Sequence, residues 1–395
     1  MNPTSEQAVV DLVADAVKAG RPLTIEGGGT RSAVTRPIQS DATLNLSGLT
    51  GITLYEPAEM VIGAWAGTPL SEIEAALAQK NQMLSFEPAD YRAALGTSGE
   101  PTIGGVVAGN VSGPRRIMAG AARDNLIGVR FVNGRGEIIK NGGRVMKNVT
   151  GLDLVKLQAG AWGTLGVLTE VIFKVTPCPP EGRTLLVEGL SDRAGVDLLG
   201  RAMGTPFEVN GAAHLPADGS IPARTMMRLE GFPDQLDYRI PALMELLGVT
   251  GQTIAGDEHI ALWKHIRDIG PLTRAGDPTS DQMSLWRISC PAMAGPDIVA
   301  AIAAHRPAKA FYDWSGGLVW LQTGLEGDAG ADTIRTACEP HSGAHATLFR
   351  APPAIKANVP VFNPLESAHM TLTRSIKASL DPQGLFNPGA MYAGV

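Results

Sequence analysis

From Gly96 to Asn125 the chain reads GTSGEPTIGGVVAGNVSGPRRIMAGAARDN, a span in which glycine, small residues and paired arginines replace any ordinary apolar core pattern. Such a backbone is suited to lie against a bulky ligand. Gly104, Gly105, Gly109 and Gly113 remove side chains where a ring system or a phosphate must come close, and successive free N–H groups there can form an anion-binding nest. Thr102 and Ile103 lead into that run, and Asn110 and Ser112 add short hydrogen-bonding groups. Composition alone leaves a second reading open, a glycine-rich surface loop.

Two further segments favour the ligand reading. Residues 23–31, LTIEGGGTR, read as a short strand entering a triple-glycine turn, which places Gly27, Gly28, Gly29 and Thr30 where backbone amides can hold a pyrophosphate. Residues 148–173 set Gly160, Gly163 and Gly166 at regular intervals, with Thr164 and Val167 among them, before a β-rich run. A nicotinamide fingerprint is a poor match: after Gly27 and Gly29 the third glycine position holds Ser32, and Pro37 interrupts the helix that should follow.

Together EGGGTR, PTIGGVVAGNVSGPRR with ARDNLIGVRFVNGRGE, KNVTGLDLVKLQAGAWGTLGVLTE and the C-terminal IKASLDPQGLFNPGAM resemble the vanillyl-alcohol oxidase and p-cresol methylhydroxylase (PCMH) superfamily, and within it the E subunits of bacterial glycolate oxidase. The resemblance spans nearly the whole chain. It implies an α+β protein with a PCMH-type FAD-binding domain, followed by a cap domain. FAD would contact Gly27–Thr30, Thr102–Gly105, Gly109, Asn110, Ser112, Gly163, Thr164, Gly166 and Val167. The activity implied is that of a subunit in a complex oxidising glycolate to glyoxylate, beside a catalytic flavoprotein subunit and an iron–sulfur subunit. A self-sufficient 2-hydroxy-acid dehydrogenase and a structural subunit with an empty flavin fold are the alternatives.

Local patterns give the elements. Apolar residues at Val9, Val10, Leu12, Val13, Ala16 and Val17 predict a helix over 5–19, with a capping box from Thr4 and Gln7 and Gly20 as its stop. Strands are expected at 23–26, 42–46, 52–56 and 60–66, a helix from Thr68-Pro69 to about Lys80, a hairpin around Asn133-Gly134-Arg135-Gly136, and a strand over 167–175. The proline-rich TPCPPEG at 176–182 marks a border, giving domains 1–178 and 179–395. Beyond it, strand-like runs at 184–188, 207–213, 225–230, 283–289, 309–314, 317–322 and 345–349 alternate with helical runs near 193–203, 235–247, 258–268, 297–304 and 331–337. That order predicts an antiparallel, ferredoxin-like sheet backed by helices, used as a cap over the cofactor. A last helix over 365–380 precedes FNPGAM, so that 365–395 returns to the first domain.

Charge and composition exclude other classes. A net charge of −6 and no basic stripe with interleaved aromatics argue against nucleic acid. The N-terminus carries Glu6, Asp11 and Asp15 and reads as neither signal peptide nor membrane span, so a cytoplasmic location is expected, or a peripheral one at the inner membrane through the complex. Cys178, Cys290 and Cys338 are isolated, so an iron–sulfur cluster would have to come from another chain.

The histidines matter most for chemistry. None precedes His214, so FAD is expected to be non-covalent. Related 2-hydroxy-acid dehydrogenases carry H-x-G-D-G-N-x-H and S-G-E-H-G stretches that hold a divalent metal. Here Ser342-Gly343-Ala344-His345 lacks the acid, and DWSGGLVWLQ at 313–322 has no histidine, so no metal site is expected. His345 is the candidate general base, weighed against a structural role; His341 reads as a loop residue. Arg350 and Lys356 are candidate partners for a substrate carboxylate, or solvated loop cations. Arg115, Arg116 and Arg123 would offset phosphate charge, face a partner chain or meet solvent. Trp162 and Trp320 read as core.

Overall fold

The computed structural model describes residues 1–143, 151–273 and 282–395, and these divide into two compact units. The first comprises 1–112, 120–178 and 360–395; the second comprises 113–119 and 179–359. The KNVT motif at 147–150 lies outside the described residues.

Helix α1 (Glu6–Ala19) buries Val9, Val13 and Ala16 and stops at Gly20, whose φ of 59° is the left-handed geometry that favours glycine. Its cap differs from the capping box expected at Thr4: Ser5 is the N-cap, its hydroxyl accepting from Ala8 N at 3.2 Å. Strand β1 (Leu23–Glu26) pairs in parallel with β2 (Ala42–Asn45). Next come β3 (Ile52–Glu56), β4 (Val61–Trp65), helix α2 (Leu70–Ala78), strand β5 (Gln82–Met83) and the short helices α3 (Arg92–Leu95) and α4 (Ile103–Ala108). Helix α5 (Arg116–Ala119) belongs to the second unit, and α6 (Ala122–Asn125) to the first. Then follow β6 (Leu126–Val132), β7 (Ile138–Gly142), α7 (Leu154–Gln158), β8 (Val167–Lys174) and β9 (Thr176–Pro177). An antiparallel sheet in the order β3-β4-β8-β6-β7 forms, while β5 pairs with β9. Glu6 of α1 ties that sheet to the helix, pairing with Arg130 on β6 and accepting from Thr169 Oγ1 on β8 at 2.7 Å.

The second unit is a doubled motif. Its first half runs β10 (Glu181–Glu188), α8 (Asp192–Met203), β11 (Gly211–Leu215), β12 (Arg224–Gly231), α9 (Pro233–Leu247) and β13 (Gln252–Ala255). Helix α10 (Gly256–Arg267) leads to the second half: β14 (Met283–Ser289), α11 (Gly295–Ala303), β15 (Ala308–Asp313), β16 (Leu318–Gly324), α12 (Ala331–Cys338) and β17 (His345–Arg350). The sheet order β13-β10-β12-β11-β15-β16-β14-β17 is two ferredoxin-like βαββαβ units set edge to edge, joined where His214 faces Tyr312. Each half has its own core, Leu199, Met227 and Leu243 among others in one, Trp286, Ile298 and Ile334 in the other. Large apolar side chains of this kind each contribute about 1.5–3 kcal/mol when fully buried. Two details differ from the sequence pattern: the strand expected over 207–213 starts only at Gly211, and β13, short and mostly exposed, had no apolar alternation to reveal it.

Helix α13 (Pro353–Asn358) closes the second unit. Helix α14 (Ser367–Leu380) lies in the first, where the buried Lys377 ammonium donates to Thr164 O at 2.7 Å, Asp381 Oδ2 at 2.8 Å and Phe386 O at 2.8 Å. The chain then runs alongside β1, with Leu23 N donating to Leu385 O at 2.8 Å and Asn387 N to Leu23 O at 3.0 Å.

Candidate functional site

The first unit contains a cleft with about 850 Å³ of empty space, solvent at its mouth included. Three sequence-distant segments and the C-terminal stretch that bridges to β1 at Phe386 form its walls. The end of β1 delivers Gly27, Gly28, Gly29, Thr30 and Arg31; α4 delivers Thr102, Gly104, Gly105 and Ala108; the turn before β8 delivers Trp162, Gly163 and Gly166; and Asn387 comes from the other end of the chain. Leu46, Ala66 and Leu168 make part of it apolar.

The glycines play two different roles. A Cβ on Gly28 would lie 1.8 Å from Glu100 O, and one on Gly27 would lie 2.3 Å from Thr102 Oγ1, so these two let the turn close onto the 99–102 segment. Gly29 has φ 69° and nothing within 4 Å of its missing Cβ, an open left-handed position. The 96–125 stretch is not one loop. Thr102 caps α4, accepting from Gly105 N at 3.3 Å, and Gly104 sits where a Cβ would be 2.7 Å from that of Ala66. Small residues there serve close packing of a helix on the turn after β4 as well as access to the cleft.

Six residues expected in the site do not line it. Ile103 and Val167 are core, at 1% and 0% exposure; Thr164 is buried with its hydroxyl on Ala161 O at 2.7 Å; and Gly109 packs near Val111 and Trp162. Asn110 Oδ1 accepts from Arg123 N at 3.0 Å, and Ser112 Oγ accepts from Ala122 N at 2.9 Å. Their polarity holds the 110–123 turn together.

Sequence reasoning missed Asn387 and Arg31 as site residues and set Trp162 aside as core. Asn387 Oδ1 accepts from Ile25 N at 2.7 Å, while its Nδ2 donates to Ile25 O at 3.3 Å and Trp162 O at 2.8 Å. Asn387 and Trp162 both have positive φ, 41° and 52°. Such backbone strain, of order 1–3 kcal/mol at each position, concentrates at ligand sites. Arg31 is 7% exposed; its Nη2 donates to Ala89 O at 3.2 Å and its Nε is buried without a hydrogen-bond partner. Burial lowers the Arg31 pKa; Tyr91 and Asp90 work in the opposite direction, and Arg92 adds to the lowering. Asp90 is itself engaged by Arg92 at 2.7 Å.

The basic residues beside the glycine run have other occupations. Arg115 pairs with Glu230 inside the second unit, Arg116 stacks 4.5 Å over the Trp314 ring, and Arg123 is half exposed. Trp320 is buried against Phe349.

The second unit carries the other candidates. His345 opens β17, exposed, with Nδ1 3.1 Å from Gly343 O; Arg350 ends the same strand, half-buried, so the fold does not bring the two together. Lys356 is no solvated loop cation: it is 2% exposed in α13, its Nζ donates to Phe349 O at 2.9 Å, and burial pushes its pKa down to about 7. No group of three or more His, Cys, Asp and Glu able to hold a metal occurs among the described residues. No helix among them is long and apolar enough to cross a membrane.

Residues 1–142, which include the strand–glycine turn and α4, match the FAD binding domain family. Along its length the chain is 35% identical to glycolate oxidase subunit GlcE of Escherichia coli (strain K12), over 98% of this chain and 97% of that protein. The chain belongs to the GlcE family of glycolate oxidase subunits. Its family likeness extends in part to glycolate oxidase subunit GlcD of Bacillus subtilis (strain 168), 45% identical over 22% of this chain and 18% of that one. Among solved structures, an alkyldihydroxyacetonephosphate synthase superposes with a TM-score of 0.72 at 15% identity, covering 98% of this chain and 75% of the other, which establishes a shared fold. The α+β architecture of an FAD-binding domain with antiparallel sheets, expected from sequence, is therefore present.

Proposed function

We propose that the chain is the FAD-binding subunit of a glycolate-oxidising complex, holding FAD non-covalently in the first-unit cleft and acting beside a catalytic flavoprotein subunit and an iron–sulfur subunit. The observation that carries this is the cleft itself, where a glycine turn, a buried guanidinium and an apolar wall coincide in a chain of the GlcE family. These residues fit a dinucleotide: Arg31 offers an unneutralised cation, Gly29 offers an open left-handed backbone, and Leu46, Ala66 and Leu168 offer apolar contact. Among the described residues that line the cleft none is His, Cys or Tyr, which supports non-covalent binding.

Bound FAD would supply an acceptor for the hydride of a CH–OH group. The chain's own contribution is placement. Asn387 fixes the spacing of β1 and the Trp162 turn through three hydrogen bonds, and Lys377 fixes the strand that carries Asn387. His345, as the group that takes the hydroxyl proton, and Arg350, as a carboxylate partner, are proposed as separate alternatives in the second unit, because they stand at opposite ends of one strand and cannot both reach a single small 2-hydroxy acid.

The test is a visible spectrum of the purified chain after reconstitution with excess FAD, followed by acid precipitation. A flavin spectrum with all flavin released to the supernatant is expected; a colourless chain with and without its partner subunits sinks the reading. Glycolate and D-lactate oxidation with an artificial acceptor then separates the subunit from a self-sufficient dehydrogenase. The isolated chain should be slower by several powers of ten, since it would lack a supported base and clamp. Loss of complex activity in His345→Ala would support that residue's role, and unchanged activity would remove it.

A further inference from the structure

We infer that Arg31 is the cationic partner of the cofactor's diphosphate and the residue that makes the cleft select a dinucleotide over an uncharged flavin. The inference rests on the flavin reading above and adds a residue and a basis for selectivity to it.

The chemistry of the position carries the argument. A guanidinium is charged at any physiological pH, and one that is nine-tenths buried is normally met by a carboxylate. Arg31 has no such partner among the described residues. Its hydrogen bonding is limited to Nη2 on Ala89 O at 3.2 Å, and its Nε has no partner at all. Three acids around the turn have other partners: Asp90 is held by Arg92 at 2.7 Å, Glu100 lies 3.7 Å from Arg92, and Glu26 accepts from Asn45 Nδ2 at 3.1 Å. The Tyr91 ring, 6.0 Å from the guanidinium carbon, offers a weak cation–π contact only.

The surroundings point to the kind of anion. Arg31 follows directly on Gly28-Gly29-Thr30, and its Nη1 lies 3.3 Å from where a Gly105 Cβ would be, between the two glycine-bearing walls of the cleft. Hydroxyls of Thr30, Ser32, Thr35 and Thr102 line the same cleft, with Leu46, Leu168 and Trp162 elsewhere along it. A ligand with a charged middle and apolar flanks suits this lining, and a planar guanidinium matches phosphate oxygens in two-point contact.

The experiment measures dissociation constants of FAD and riboflavin for the full chain, by fluorescence titration, in wild type, Arg31→Gln and Arg31→Lys. Riboflavin presents the ring without phosphate. Expected is a 10- to 100-fold weaker FAD affinity in Arg31→Gln, about what a hydrogen-bonded charge contributes, with riboflavin within twofold of wild type. Arg31→Lys, which keeps the charge but not the fork, should fall between and serves as the reading if the Gln variant does not fold. Wild-type FAD affinity should drop with added salt more steeply than that of Arg31→Gln. An FAD-to-riboflavin ratio unchanged in both variants, or two affinities that weaken together, would overturn the assignment and reduce Arg31 to packing. A wild-type chain that binds no FAD would instead remove the flavin reading itself.

Discussion

The two units treat buried charge in opposite ways. In the second unit, Arg115 meets Glu230, Arg228 meets Asn210 and the Trp263 ring, and Asp192 accepts from Tyr312 OH at 2.8 Å across the joint between the two sheet halves. Burial alone would raise the Asp192 pKa, but bonds from His214 and Tyr312 bring the net shift downward, the mark of a carboxylate satisfied within the fold. In the first unit, Lys377 is likewise satisfied, yet Arg31 is buried beside a glycine turn with no carboxylate in ion-pair contact among the described residues. A buried guanidinium so placed leaves its cleft suited to an anion. Lys356, a buried cation of the second unit, donates to Phe349 O at 2.9 Å.

The most severe way to break this contrast is to close the turn. Gly28→Val places a side chain 1.8 Å from the Glu100 carbonyl oxygen, a backbone clash no rotamer relieves, so β1, the glycine turn and the 99–102 segment cannot pack. FAD binding should be lost by more than about 100-fold, several kcal/mol of overpacking. Hydrogen exchange should rise in β1 and α4 while the β10–β17 sheet stays protected. Equal loss of protection in both units would mean that the second does not hold its own fold.

Anchoring gives a smaller effect. Lys377→Met leaves Asp381, 1% exposed, as a buried carboxylate held by the Leu385 and Phe386 amides at 3.0 and 2.8 Å. Removing one member of such a pair costs about 3–5 kcal/mol, read as a lower thermal midpoint for the first unit. FAD should bind more weakly too, because Asn387 follows directly on Phe386. Lys377→Met combined with Asp381→Asn should regain part of the loss, and a double variant no better than the single one would deny the pairing its role.

Much of this architecture was legible in sequence because it rests on local signals. The α1 stripe, the Asn133–Gly136 hairpin and the alternation of strands and helices after Pro180 each depend on spacing alone, and the observed elements fall within a few residues of those readings. The cleft was only half legible. Gly27–Thr30 and Thr102–Gly105 announce themselves by composition, but whether a glycine faces a ligand or a neighbouring carbonyl is decided by tertiary packing, as Gly28 against Glu100 shows. Arg31 stands two residues after the triple glycine, yet its significance lies in the partners it lacks among the described residues, which sequence cannot display. Asn387 comes to Ile25 from 362 residues away. Lys356 read as a loop cation because prolines surround it, whereas those prolines start α13 and turn the side chain inward.

Lys356 also sharpens the comparison most finely, because it asks whether a cation buried outside the cleft bears on ligand binding at all. It lines no part of the first-unit cleft, so its burial should simply cost stability in the second unit. The sign follows from the pKa, ordinarily 10.5 and here pushed down to about 7 by burial. Below pH 7 the ammonium is charged in both folded and unfolded chains, and the folded state bears the full penalty of enclosing it. Between pH 7 and 10.5 the unfolded chain holds more protons, so folded stability rises with pH; above that range the penalty is gone. Lys356→Met should therefore stabilise the second unit at pH 6 by about 1–3 kcal/mol after allowing for the lost bond to Phe349 O, read as a higher thermal midpoint. The gain should shrink steadily toward pH 10, and FAD affinity should not change. A variant less stable than wild type at pH 6 would show that the contacts of the ammonium outweigh the penalty of burying it, and a fall in FAD affinity would tie the second unit's buried cation to the first unit's cleft.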